Sequence, residues 1–294
     1  MSRGIPVTVI GGYLGAGKTT LVNHLLRESR GRRLAVLVND FGALPIDADL
    51  IEGREGDTLA IAGGCVCCSF GSDLVAALRQ IAGRDPAPDH LLIEASGVAL
   101  PAAVAAAATL VPGFANDGIV VLADAETVRG RAADRYLGDT IERQLRDAGL
   151  ILLTKPDLVD TSERAATRGC LEQFAPVLDA ERGDVPLDVL LGPGSGRSRH
   201  AFAGPTEHPD YETALFENLP GVDVERLALA LTDPALGILR AKGILHERSG
   251  AARVLQVVGR RSEVTDASSG AAGRLVCIGL LGTLRREDIG SLIA

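Results

Sequence analysis

The chain contains 294 residues, of which 46% are hydrophobic and only 3% aromatic, and its formal net charge is −8 at pH 7. The acidic balance and the lack of a long basic run argue against a broad surface for nucleic acid or for an anionic membrane. The longest apolar stretch, residues 98–112, is broken by Pro101, and the chain opens directly on a strand pattern. We therefore expect a cytoplasmic protein without a membrane span or a signal peptide.

A glycine-rich segment follows the first predicted strand. The strand covers residues 5–10, residues 11–20 read GGYLGAGKTT, and residues 21–26 have helical spacing. Glycines let backbone N–H groups curl around an anion, so this order predicts a phosphate-binding P-loop rather than an ordinary glycine turn. We expect Lys18 to reach the β- and γ-phosphates of a nucleotide and the Thr19 hydroxyl to bind Mg²⁺. The predicted nucleotide-binding residues of this loop are Gly12, Gly15, Ala16, Gly17, Lys18, Thr19 and Thr20.

Three cysteines lie within four positions of one short segment. The segment reads GGCVCCS and contributes Cys65, Cys67 and Cys68. From a turn, three thiolates can face one ion, and their softness favours Zn²⁺ or Cu(I), with a fourth position left open for transfer. A Cys65–Cys68 redox pair and simple packing of small residues are the alternatives. The remaining cysteines, Cys170 and Cys277, are expected to be buried small hydrophobes.

A second nucleotide-related pattern occurs at residues 90–94. This predicted strand ends in Glu94 and is followed by Ala95-Ser96-Gly97. An acid at the end of a strand can approach Mg²⁺, as in a Walker B motif, and the N–H of Gly97 can sense a γ-phosphate. On its own the pattern fits a buried strand with a capping glutamate, but the P-loop upstream favours the nucleotide interpretation.

The third pattern concerns the choice of base. A predicted strand at residues 150–154 runs into Thr154-Lys155-Pro156-Asp157. Guanine presents two parallel N–H donors that one carboxylate can accept together, and adenine lacks that pair, so Asp157 would select GTP. The stem of Lys155 would lie over the base, and Thr154 stands where Asn is usual. A strand that ends in a Lys-Pro turn is the alternative.

Strands alternate with helices through this part of the chain. The alternation predicts an α/β fold of the P-loop NTPase type, in which a mostly parallel sheet is covered by helices on both faces. The predicted strands cover residues 5–10, 33–39, 58–61, 90–94, 118–124 and 150–154, and the predicted helices cover residues 73–81, 102–110, 125–133 and 139–148.

The composition changes to Gly, Pro, Ser and His over residues 191–209. We interpret this segment as a linker between a P-loop GTPase domain at 1–190 and a small α+β C-terminal domain at 210–294. His200 and His208 in the linker could assist metal capture. The predicted C-terminal elements are strands at 212–218, 238–247, 253–259 and 275–281, helices at 224–231 and 286–293, and an irregular polar loop at 262–273.

Together these motifs resemble the CobW-type GTPases, a family of metallochaperones that includes cobalamin-synthesis and nitrile hydratase activator-like proteins. The segments that carry the resemblance read GGYLGAGKTTLVNHLL, VNDFG, GGCVCCS, IEASGVALP and TKPDLV. The resemblance is strong over residues 5–160 and continues weakly through residues 239–243 and 255–259. It implies hydrolysis of GTP coupled to metal delivery, with the three clustered thiols as metal ligands.

The chain departs from the family pattern at two loops. Residues 39–43 read NDFGA where family members usually read NEFGE, and residues 99–101 read Ala-Leu-Pro where they usually read Ala-Asp-Pro. The long His-rich tract of many members is also absent from the sequence. Few oxygen ligands therefore remain near the thiols apart from Asp40 and Glu94, so we expect a sulfur-dominated metal site.

We expect a metallochaperone that acts as a slow, partner-stimulated GTPase. GTP or GDP would bind with Mg²⁺ at Thr19 and Glu94, and the predicted catalytic residues are Lys18, Asp40 and Glu94. Zn²⁺, or a similar ion such as Co²⁺, would pass to a client metalloprotein; no nucleic acid or membrane partner is expected, and a homodimer is compatible with the sequence. A small-metabolite P-loop kinase and a redox- or metal-sensing interaction protein that uses the nucleotide as a switch are the alternatives.

Overall fold

A computed structural model describes residues 4–29, 31–39, 58–63, 72–192, 210–267 and 273–293. The chain divides into two compact units, residues 4–187 and residues 188–294. From residue 193 onward, the predicted linker at 191–209 lies outside the described residues.

The first unit is built on a parallel sheet. Its strands, in order along the chain, are β1 (Ile5–Gly12), β2 (Leu34–Asn39), β3 (Thr58–Gly63), β4 (His90–Glu94), β5 (Phe114–Asp124), β6 (Leu150–Thr154) and β7 (Val177–Ala180). Within the described part of the chain the sheet has seven strands in the order β3-β2-β4-β1-β5-β6-β7, and each neighbouring pair is parallel. All of these strands therefore end at the same edge of the sheet, where ligands of open α/β folds bind.

Helices connect these strands. The helices are α1 (Lys18–Arg27), α2 (Ser72–Ala82), α3 (Pro101–Thr109), α4 (Val128–Ala132), α5 (Gly138–Asp147) and α6 (Thr161–Leu171), followed by the short α7 (Leu187–Leu191). The central strands are near-continuous apolar runs because both faces of a parallel sheet are covered. All five residues of β4 and all five of β6 are buried. Helix α5 is instead amphipathic. It buries Ile141 and Leu145 on one face, and its exposed charged residues lie on the opposite face.

The second unit is an antiparallel sheet packed against helices. Its elements are β8 (Tyr211–Glu217), α8 (Val224–Ala230), β9 (Ile238–His246), β10 (Ala252–Val258), β11 (Arg261–Asp266), β12 (Arg274–Leu280) and α9 (Arg286–Ile293). The strand order is β11-β10-β9-β12-β8, with every neighbouring pair antiparallel. Leu227 of α8 and Ile289 of α9 share one apolar core with Leu255 and Leu275 of the sheet.

The structure confirms the predicted fold class, an α/β unit with a parallel sheet followed by a small α+β unit. The prediction of an irregular loop at 262–273 is wrong at its start, because Arg261–Asp266 forms β11, which pairs with the preceding strand β10 as a β-hairpin. An edge strand exposes much of its surface, so a polar strand such as this one carries little hydrophobic signal. Residues 268–272 lie outside the described residues.

The two isolated cysteines differ in burial. Cys277 is fully buried as expected, and burial raises the pKa of its thiol to about 12. Cys170 is exposed, so the expectation that it is buried is wrong. It occupies the outward face of α6, whose buried residues are Thr167 and Leu171. Among the described residues, no helix is long and apolar enough to cross a bilayer.

Candidate nucleotide-binding site

The loop between β1 and α1 has the conformation that its glycines permit. Gly12 lies at φ 129°, and a Cβ atom there would be 2.5 Å from the carbonyl oxygen of Leu122. Gly15 and Gly17 also lie at positive φ, and Gly17 is the left-handed N-cap of α1. The first turn of α1 contains no acidic residue. Its positive end is therefore available to an anion that enters the loop.

Lys18 is held over the interior of this loop. The residue is only 8% exposed, and its Nζ donates to the carbonyl oxygens of Gly12 at 3.0 Å and of Tyr13 at 3.3 Å. The ammonium group thus lies where the loop curls, at the position that a phosphate-binding lysine requires. The predicted placement of Lys18 at a phosphate site is consistent with this geometry.

Thr19 and Glu94 are brought together across the sheet edge. Glu94 ends β4, which lies beside β1, and the Thr19 hydroxyl donates to Glu94 Oε1 at 2.9 Å. Glu94 is 3% exposed. A hydroxyl and a carboxylate oxygen are ligands that suit a hard cation such as Mg²⁺. The two residues predicted to bind Mg²⁺, which are 75 positions apart in sequence, are therefore neighbours.

The loop after Glu94 contacts the tip of the P-loop. A Cβ atom at Gly97 would be 2.6 Å from the side chain of Leu14 and 2.7 Å from its backbone nitrogen. Glycine therefore allows the close approach of the two loops. The Gly97 carbonyl accepts a hydrogen bond from the side chain of Gln144 in α5. Gly97 is thus near the P-loop, as a residue that senses a γ-phosphate must be.

The Thr154-Lys155-Pro156-Asp157 segment is anchored to the P-loop from the other side. The buried Thr154 hydroxyl donates to the carbonyl oxygen of Ala16 at 2.9 Å. Lys155 has a left-handed backbone, φ 54°, and its Nζ forms an ion pair at 2.6 Å with Asp124, which is buried at the end of β5. Asp157 is exposed. Thr154 thus fixes the segment, and the carboxylate of Asp157 remains accessible to a base.

Three side chains contribute to the site without a signal in a local motif. Asp124 pairs with Lys155, Gln144 holds the loop at Gly97, and the Arg131 guanidinium donates to the carbonyl oxygen of Leu14 at 2.9 Å. Only Asp124 could have been found from the sequence, since it is an acid at the carboxyl end of a predicted parallel strand. Arg131 and Gln144 lie on helices that no motif connects to the P-loop.

Several predicted site residues lie outside the part of the chain that the structure describes. They are Asp40, Cys65, Cys67, Cys68, His200 and His208. Among the described residues, no group of three or more His, Cys, Asp or Glu side chains could hold a metal ion. The sulfur site therefore remains a prediction from the sequence.

A parallel sheet with a glycine loop between its central strand and first helix, and an acid at the end of the adjacent strand, defines a P-loop nucleotide-binding domain. Comparison with known families then identifies which family of P-loop domains this is. Residues 6–178 match the nucleotide-binding domain described as CobW/HypB/UreG, and residues 212–294 match the cobalamin synthesis protein cobW C-terminal domain. The chain belongs to the CobW/HypB/UreG family.

Individual relatives extend over both units. The zinc chaperone CobW of Sinorhizobium sp is 32% identical over 83% of this chain and 78% of its own length. The zinc chaperone YjiA of Escherichia coli strain K12 is 31% identical over 82% of this chain and 81% of its own. The crystal structure of the Zn(II)-bound YjiA GTPase from E. coli aligns with 99% of this chain and 98% of that one, at 25% identity and a TM-score of 0.45.

Proposed function

We propose that this chain is a metallochaperone GTPase, which hydrolyses GTP to GDP and phosphate and couples that reaction to delivery of zinc or a similar transition metal. The observation that carries the nucleotide part is the contact between Thr19 and Glu94 at 2.9 Å, beside an ammonium group held inside a glycine loop. The metal part is supported by relatives named zinc chaperones and by the three clustered thiols of the sequence.

The phosphates would be bound mainly by fixed backbone groups. The N–H groups of the P-loop and the N-terminus of α1 supply positive charge that needs no rearrangement, and Lys18 adds a full charge at the same point. Thr19 and Glu94 would hold Mg²⁺, which would neutralise negative charge on the nucleotide phosphates. Asp40, on the predicted loop after β2, is our candidate for orienting the attacking water.

The base would be selected by Asp157. Its carboxylate is exposed, while the segment that carries it is fixed by Thr154 and by the Lys155–Asp124 ion pair. A carboxylate can accept the N1–H and N2–H donors of guanine together, and adenine offers no such pair. This arrangement supports a preference for GTP over ATP.

The metal would be bound by Cys65, Cys67 and Cys68. Strand β3 ends at Gly63, on the same sheet edge as the P-loop strand, and the first of these cysteines follows two residues later. A metal loop that starts at this edge can be influenced by the nucleotide, which supports coupling between metal affinity and nucleotide state. Thiolates must lose their protons to bind, so metal affinity should fall as the pH drops below neutrality.

The proposal is tested with two single variants. Lys18→Ala should abolish GTP hydrolysis while leaving the thermal unfolding transition and zinc stoichiometry intact. Cys67→Ser should lose zinc while retaining nucleotide affinity, measured by zinc titration with a Co²⁺ competitor read through its thiolate charge-transfer band. Wild-type zinc affinity is then measured with GTP and with GDP, and equal affinities would contradict the coupling.

The alternatives predict different results. Transfer of phosphate to a small metabolite rather than to water would identify a kinase. Reversible Cys65–Cys68 oxidation without stoichiometric metal binding would identify a redox sensor. Undiminished hydrolysis in a folded Lys18→Ala variant would remove the P-loop assignment itself.

A further inference from the structure

One pair of helices contacts both loops that frame the phosphate end of the site. We call residues 128–147, which contain α4 and α5, the α4–α5 arm. Arg131 of the arm contacts the P-loop, and Gln144 contacts the loop after Glu94. Neither residue belongs to a nucleotide-binding motif of the sequence, and both line the same cavity behind the P-loop.

Arg131 holds the tip of the P-loop, which consists of Tyr13 and Leu14. Its Nη1 donates to the Leu14 carbonyl oxygen at 2.9 Å, and its guanidinium carbon lies 5.0 Å from the centroid of the Tyr13 ring. The Leu14 side chain is 55% exposed, so apolar packing holds this residue only weakly. Gly12 and Gly15, on either side of the tip, have positive φ angles. Arg131 therefore supplies directional contacts to a short segment between two conformationally free residues.

Gln144 holds the loop after Glu94. The residue is 2% exposed, and its Nε2 donates to the carbonyl oxygens of Gly97 at 3.0 Å and of Ala99 at 2.9 Å. Less than one turn further along α5, Asp147 accepts a hydrogen bond from the backbone N–H of Ala102 at 3.0 Å. Loss of the amide would leave two carbonyl groups without this buried donor. One face of α5 thus holds the loop at Gly97 and Ala99 and the first turn of α3 at Ala102.

The two loops meet at one close contact, and a different residue of the α4–α5 arm holds each side of it. A Cβ atom at Gly97 would be 2.7 Å from the Leu14 nitrogen, so the backbones already lie as close as glycine allows. Arg131 binds the Leu14 side of this contact and Gln144 binds the Gly97 side. The α4–α5 arm therefore sets the position of one loop relative to the other.

We infer that Arg131 and Gln144 are positioning residues of the nucleotide site, with separable effects. The inference rests on the proposed function, in which the P-loop binds the phosphates of both GDP and GTP while Gly97 responds only to the γ-phosphate. Arg131 therefore acts on the affinity for both nucleotides. Gln144 acts on the γ-phosphate-dependent step, which is measured as kcat.

The Gln144 half is tested with Gln144→Leu, which keeps a similar volume and removes both donors. We expect kcat for GTP to fall about 10²-fold, because a misplaced loop costs that much, while the Kd for GDP changes less than about threefold. Arg143→Gln is the matched control, since Arg143 is exposed on the same helix and forms an ion pair with Asp139 of the same helix. It should retain the kcat of the wild type.

The Arg131 half is tested with Arg131→Met, which keeps the apolar stem and removes the guanidinium. The Kd values for GDP and GTP should rise together by about tenfold, since a charged hydrogen bond to the P-loop is lost, with kcat at saturation unchanged. Arg131→Lys keeps a cation near Tyr13 and should lose less affinity. Arg129→Met, an exposed arginine of the same helix, is the control.

A measurement without nucleotide separates this inference from the proposed function. In hydrogen–deuterium exchange of the unliganded protein, Gln144→Leu should speed exchange of the amides at residues 95–100 and leave those of β9 and β12 unchanged. If the wild type bound no GTP, the proposed function would fail, and this exchange result would still decide the positioning role. Unchanged exchange at residues 95–100 would overturn it. So would an equal fall of kcat and of both affinities in Gln144→Leu, accompanied by a lower melting temperature.

Discussion

The phosphate end and the base end of the candidate site are built by different means. The phosphate end is formed by backbone conformation: glycines at positive φ, a helix N-terminus, and a buried lysine that bonds to the loop's own carbonyl oxygens. The base end is an exposed carboxylate whose segment is fixed by its own Thr154, which bonds to the P-loop, and by the pairing of Lys155 with Asp124 of β5. A motif can specify the first kind of site almost completely, whereas the second kind depends on what the fold places behind the motif.

The strongest test of this difference is Gly12→Ala. A methyl group there would meet the Leu122 carbonyl oxygen at 2.5 Å and would force an unfavourable φ, so the free energy of unfolding should fall by about 3 kcal/mol and nucleotide binding should be lost. Gly15→Ala is the control, because its φ is also positive but no atom of the described residues lies within 4 Å of the added carbon. It should cost about 1 kcal/mol. Equal losses in chemical denaturation would show that the contact with Leu122 is unimportant.

At the base end, Asp157→Asn should change selectivity rather than the fold. The variant replaces an acceptor of the guanine N–H pair by a donor, so the preference for GTP over ATP should fall by about 1–3 kcal/mol in competition binding. Xanthosine triphosphate, which carries a carbonyl group at the corresponding position, should bind the variant better than the wild type. If ATP already competes equally with GTP in the wild type, Asp157 does not select the base.

The link between the two ends is tested by Thr154→Val. The substitution keeps the shape of the side chain and removes the hydrogen bond to the Ala16 carbonyl oxygen, so the free energy of unfolding should fall by about 1 kcal/mol. Thr167→Val is a matched control, because the Thr167 hydroxyl is buried and has no hydrogen-bond partner among the described residues. That variant should be neutral or slightly stabilising in urea denaturation. A reversed order of the two stabilities would contradict the role of Thr154.

The smallest effect concerns the helix that follows the base end. Asp160 is the N-cap of α6; hydrogen bonds from the Ser162 hydroxyl and from the Glu163 backbone lower the pKa of its carboxyl group. A lowered carboxyl pKa adds stability that is present at neutral pH and is lost as the pH falls below about 4, through the pKa of the folded state. Asp160→Asn still caps the helix but does not titrate. The wild type should therefore melt slightly above the variant at pH 7, and the gap should narrow as the pH falls below the ordinary carboxyl pKa of 3.8; a constant gap would exclude the titration.

The predicted site residues that the structure brings together share one property: each lies inside a short motif. Lys18 and Thr19 belong to one continuous loop, and Glu94 ends an apolar strand that shows its type without reference to the fold. The contacts of Arg131 and Gln144 instead join residues 117 and 47 positions apart. Such pairs depend on how the helices lie against the sheet, and no local pattern records that.

Helices α6 and α7 were not predicted from the sequence, and two strands were missed because their hydrophobic signal is weak. Strand β11 is polar because it lies at the edge of its sheet, and β7, also an edge strand, has only four residues. The prediction that Cys170 is buried failed for a related reason. The apolar neighbours of a residue in the sequence do not define which face of a helix it occupies. Strands β4 and β6 were predictable because burial on both faces of the sheet gives each of them a nearly uninterrupted apolar run.

The position of the Lys18 ammonium group also bears on how fast a nucleotide is captured. Because two loop carbonyl groups already bond to it and little of the residue is exposed, most of its hydration shell is removed during folding, before any ligand arrives. Nucleotide association then exchanges one set of oxygen partners for another, without a separate dehydration step. In stopped-flow binding, we expect this to appear as a low activation enthalpy for association, and a large activation enthalpy would contradict it.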